Sequence, residues 1–184
     1  MASSSTPAGV VRAPDLPVWV RVVAATGGMG AALTAAMWAA THVHTDEVLH
    51  EVALFLHLAC LVLGFGSVLA VDWVATLWLM QRRTLADVLR TADNTHLPIW
   101  IGYAGLVASG MLLEPDLSNP MTMLKVALVL LIGWNGVLAG VLHGRLSHLH
   151  ETPGRNLLAA AGTVGAISQL GWWGAMVIGF LNAR

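Results

Sequence analysis

The chain alternates long apolar stretches with short polar ones, and the apolar stretches carry no polar face at either the helical or the strand period. A helix needs about 20 apolar residues to cross a hydrocarbon core ~30 Å thick. Five runs reach or approach that length: Val22–Thr41, Val52–Met80, Pro98–Leu113, Met121–Leu142 and Leu157–Leu181. The pattern predicts an all-α fold, a polytopic membrane helix bundle of about five transmembrane helices. Spans two to five form a four-helix core and the N-terminal helix sits at its edge.

The polar stretches between the runs place the boundaries. Met1–Pro17, rich in Ser, Ala and Pro, reads as a flexible cytoplasmic tail, and residues 18–184 as the transmembrane domain. The first run is too long for a signal-peptide core, and Trp38 stands where cleavage after Ala40 would need a small residue, so it reads as an uncleaved span. The link Gln81–Leu97 has apolar residues spaced for a short surface helix, and Pro98 suits the first turn of the third span, where its missing N–H is harmless. Glu114–Pro120 is a strong breaker before the fourth span.

Composition agrees with this pattern. Hydrophobic residues make up 57% and charged ones 10%, where soluble domains carry roughly 25% charge. A net charge of -1 with no block of like charges excludes nucleic-acid binding. Cys60, alone in an apolar run, reads as a packing residue. If the spans alternate, Arg12, Arg21, Arg82, Arg83, Arg90, Arg145 and Arg155 fall on one side, opposite Asp46, Glu47, Glu51, Glu114 and Asp116; only Arg184 departs. The positive-inside rule then puts the N-terminus in the cytoplasm and the C-terminus outside, in a plasma membrane.

Polar groups within spans are costly unless paired or wetted, which makes them the candidate functional residues. At ~1.5 Å per residue, His57 and Lys125 fall in one outer layer, with His50 near it. Asp72, Asn135, Gln169, His96 and His143 fall in an inner layer. Asp72, with Asn135, Lys125 and Gln169, is a candidate ion pathway. His57, His50 and His44, with His42 nearby, are candidate ligands for copper or another imidazole-preferring ion, although no Met or Cys cluster completes a soft site. His96 and His143 could instead hold a b-type haem. Gly136, Gly140 and Gly144 share one face of span four, suited to close packing within the bundle or against another subunit or copy.

From Leu54 to about Leu142 the order of features resembles the membrane domain of the copper-resistance D (CopD) type and its relatives. The matching residues are His57 with Gly64 and Gly66, then Ser109 with Gly110, then Lys125 and Asn135. Where such proteins carry an arginine before the second of these spans, this chain has Thr95 and His96, and Met-rich copper motifs are absent. The resemblance implies a helix bundle that handles copper.

Three functional readings follow: a membrane protein handling a metal ion or protons, a redox subunit binding haem b or quinone, and a non-catalytic accessory subunit. No nucleophile with an activating partner and no phosphate-cradling loop is present, so covalent catalysis is not expected.

Overall fold

The helices are fixed by their caps as well as by their apolar runs. The computed structural model describes residues 17–149 and 153–182. It contains α1 (Val18–Ala40), α2 (Glu47–Leu79), α3 (Leu85–Met111), α4 (Pro120–Ser147) and α5 (Arg155–Asn182). Asp46 caps α2 by accepting from the Leu49 N–H at 2.7 Å. Thr84 and Asp87 form a reciprocal capping box at the start of α3, and Asn119 caps α4 with Pro120 in its first turn. Each supplies an acceptor to N–H groups that have no partner within their own helix. Gln81 and Glu114, at φ 60° and 47°, turn the chain away after α2 and α3.

The expected division of the third span is corrected. Instead of a surface helix followed by a span opening at Pro98, one helix runs from Leu85 to Met111 with Pro98 inside it. The capping box starts the helix a dozen residues early. Pro98 removes only the donor to the Asn94 carbonyl, a loss that buried helices tolerate when neighbouring helices hold the backbone in place. The expected N-terminal tail lies, apart from Pro17, outside the described residues, as do 150–152 and 183–184.

Two antiparallel hairpins, α2–α3 and α4–α5, make up the body, and α1 lies across α4 and α3. The α2–α3 seam is backbone on backbone: a Cβ on Gly102 would meet the Gly64 Cα at 2.5 Å and the Cys60 carbonyl oxygen at 2.8 Å. At Gly133 on α4, a Cβ would collide with Met29 of α1 and Tyr103 of α3. Phe65, Val68, Tyr103, Ile132 and Trp172 form the central cluster. Phe65 stacks on Trp172 at 5.5 Å, joining α2 to α5, and Tyr103 donates to the Val129 carbonyl at 3.1 Å, joining α3 to α4. Within Gly136, Gly140 and Gly144, only Gly136 packs inside the bundle, against Trp100; the other two face open space. The intramolecular role expected of that face passes to other glycines.

Among the described residues, four helices, α1, α2, α4 and α5, are long and apolar enough to cross a membrane. α3 falls short because its first half carries Asp87, Arg90, Asp93, Asn94 and His96. The outward faces are apolar too: Phe55, Val62 and Leu170 expose 71%, 75% and 73% of their surface. Each such side chain left in water forgoes about 1.5–3 kcal/mol, so these faces fit lipid. The protein is a helical, multi-pass integral membrane protein in which α1 packs at the edge.

Candidate functional site

A cavity of about 130 Å³ opens among the five helices, toward the end where α1 and α3 finish and α2 and α4 begin. α1 supplies Leu33 and Met37, α2 His57, α3 Tyr103, Leu106 and Met111, α4 Lys125 and Val129, and α5 Trp172; Pro115 and Leu117 of the α3–α4 turn also line it. The walls are mostly aliphatic and aromatic. Among the described residues, His57 and Lys125 are the only charged or titratable lining groups besides the Tyr103 hydroxyl, and no carboxylate lines the space.

The hydrogen bonds around His57 fix its tautomer. The Ser109 hydroxyl donates to the Gly105 carbonyl at 2.5 Å. Its oxygen can therefore only accept from His57, whose Nδ1 lies 3.0 Å away. Nδ1 carries the hydrogen, which leaves the lone pair on Nε2; the Leu106 backbone carbonyl also lies close to the ring. Gly110 makes room for the ring: a Cβ there would come within 3.4 Å of His57 Cε1. Lys125 is within electrostatic reach of the imidazole. The site thus offers one nitrogen acceptor and one ammonium donor on apolar walls.

The outer layer read from the sequence is half assembled. His57 and Lys125 meet at the cavity, whereas His44 and His50 face Glu114 at the bundle's end. Among the described residues no three His, Cys, Asp or Glu side chains come together to hold a metal ion. Met37 and Met111 do line the cavity beside His57. The two methionines lie far apart in sequence, on α1 and α3, and both reach the cavity through the packing of these helices.

The inner layer is not one site. Gln169 donates from Nε2 to Asp72 Oδ2, while Asn135 donates to the Val164 carbonyl at 2.9 Å and leaves its own Oδ1 buried and unpartnered among the described residues. His96 Nε2 accepts from Trp100 Nε1 at 3.1 Å, and His143 Nε2 sits 2.8 Å from Asp93. Both candidate haem ligands therefore have their Nε2 atoms engaged elsewhere.

Beside the cavity mouth, the α1–α2 link is tied to the α3–α4 turn. The Thr45 N–H and hydroxyl donate to Glu114 Oε1 at 2.6 and 2.9 Å. These bonds, helped by His44 and His50, hold the Glu114 carboxyl below its usual range. A carboxyl lowered on folding adds stability above its unfolded value, and that stability is lost as pH falls through the lower folded value. Thermal unfolding of the wild type and Glu114→Gln should therefore differ at neutral pH and converge under acid; a gap independent of pH would show that the tie does not depend on charge.

The chain matches no family model, no curated protein and no solved structure.

Proposed function

We propose that the protein is a quinone-binding membrane subunit whose central cavity takes the ring headgroup of a lipid-soluble quinone. The observation that carries this reading is the pairing of His57 Nε2, an acceptor, with Lys125, a donor, in an apolar space that holds no carboxylate. A quinone oxygen accepts from the ammonium, and the hydroxyl of the reduced form donates to the imidazole. Size supports one ring: the cavity of about 130 Å³ is close to the ~150 Å³ of an engineered cavity that takes benzene. A haem macrocycle is several times larger. The site residues also include His57, Ser109, Gly110 and Lys125, all features on which the resemblance to the copper-resistance D type rests.

That convergence, with Met37 and Met111 beside His57, favours one second reading: two thioethers and a neutral imidazole make a soft set suited to copper(I). The neighbouring Lys125 ammonium repels a cation and supports the quinone reading instead. Equilibrium titration of the purified protein separates the two. Saturable binding of a short-chain quinone is expected, weakened by Lys125→Met. Tight copper(I) binding lost in Met37→Leu/Met111→Leu, with no quinone binding, would replace it.

The same reading places the cavity in the outer half of a plasma membrane, with the N-terminus cytoplasmic, because the arginines gather at the opposite end of the bundle. Reporter fusions that are active only outside the cell should work at the C-terminus and fail at the N-terminus; the reverse result would invert the orientation.

A further inference from the structure

Asp72 stands apart from the cavity, on the other half of α2, and no part of the proposed ligand site uses it. Its partner Gln169 lies at the middle of α5, a helix long and apolar enough to cross a membrane, so the carboxyl group sits level with the middle of that helix. The Gln169 amide is clamped. Trp173 Nε1, which can only donate, binds Gln169 Oε1 at 2.9 Å, which turns Nε2 toward Asp72. Thr76, one turn along α2, gives its hydroxyl to the Asp72 backbone carbonyl at 2.8 Å and not to the carboxyl. Among the described residues, the neutral Gln169 amide is the only side-chain donor to that group.

Among the described residues no cation pairs with it. α3 carries Arg90, Asp93 and His96 in the half that runs beside this end of α2. Asp93 pairs with His143, His96 bonds Trp100, and no ion pair joins Arg90 to Asp72 among the described residues. α5 contributes only Gln169 and Trp173 here. Arg82 and Arg83, beyond the end of α2, make no ion pair with Asp72 among the described residues either. A half-buried carboxylate at this depth with one neutral hydrogen bond is far costlier than the neutral acid. We propose that Asp72 is a proton-binding site: a carboxylic acid held at the α2–α5 contact by Gln169, able to take up and release a proton within the membrane. The proposal stands whatever occupies the cavity.

Dicyclohexylcarbodiimide tests this on the full chain in lipid nanodiscs without added quinone or copper. The acid O–H adds across one C=N bond of the reagent: the carboxyl oxygen bonds the central carbon, the proton moves to nitrogen, and nothing leaves. The expected result is a peptide containing Asp72 whose mass rises by the whole reagent near neutral pH, with the yield falling several-fold as pH is raised. Asp72→Asn should abolish the adduct, and a water-soluble carbodiimide should leave Asp72 unmodified. If the variant does not fold, the pH dependence of the Asp72 peptide in the wild type decides alone. No adduct at any pH, or equal modification by the water-soluble reagent, would overturn the proposal by showing an ionised or water-exposed carboxylate.

Discussion

Gly102→Ala should destabilise the protein by about 3 kcal/mol, at the upper end of what overpacking costs. The added methyl meets the Gly64 backbone and the Cys60 carbonyl oxygen, and neither can swing aside as a side chain would. The α2–α3 hairpin must open or shift, and with it His57 moves relative to Ser109. Gly140→Ala is the matched control. Its methyl enters open space, so the only effect is the helix preference of alanine, up to about 1 kcal/mol in the stabilising direction. Thermal unfolding in one detergent compares the two. Equal effects would mean that α2 and α3 do not meet backbone to backbone.

Lys125→Met should weaken quinone binding by roughly ten- to a hundredfold, and His57→Leu should weaken binding of the reduced quinol by up to about tenfold. A hydrogen bond to a charged group such as the Lys125 ammonium contributes about 1.5–3 kcal/mol and one to a neutral imidazole about 0.5–1.5 kcal/mol, and each 1.4 kcal/mol is about tenfold in affinity. Lys125→Met keeps the length and the apolar stem while removing the ammonium; His57→Leu removes the acceptor and keeps a filled space. Ser109→Ala should fall between these and the wild type, since it leaves the imidazole but frees the tautomer that Ser109 imposes through its bond to Gly105. Binding isotherms with the quinone for Lys125→Met, and with the quinol for His57→Leu and Ser109→Ala, check these effects. A Ser109→Ala effect larger than that of His57→Leu would mean that the serine itself touches the ligand.

The helices were legible in the sequence because lipid demands unbroken apolar runs, and the runs mark α1, α2, α4 and α5 to within a few residues. α3 was misdivided because Pro98 mimics a helix start when only local chemistry is weighed; the stronger signal was the Thr84–Asp87 capping box. Depth along the bundle was also legible. Counting residues from each span's middle set His57 level with Lys125, and both line the cavity; it set Asp72 level with Asn135, whereas Asp72 bonds Gln169 and Asn135 bonds the Val164 carbonyl. Direction around each helix was not. His50 and His57 share a face by spacing, yet His50 turns to Glu114 because α2 extends past the end of α3. Met37 and Met111 join the cavity through α1 packing, which no local pattern encodes. The glycines whose backbones meet across α2 and α3, Gly64 and Gly102, lie outside any regular stripe, whereas a Cβ on two of the three in the regular stripe of α4 would meet nothing.

Photolabelling with an azido-substituted short-chain quinone tests most directly whether the cavity is the binding site. The label should map to peptides that line it, those containing Met111 and Lys125 in particular, and excess unlabelled quinone should displace it. Label scattered over lipid-facing residues such as Phe55 and Val62, and undiminished by competitor, would contradict the assignment.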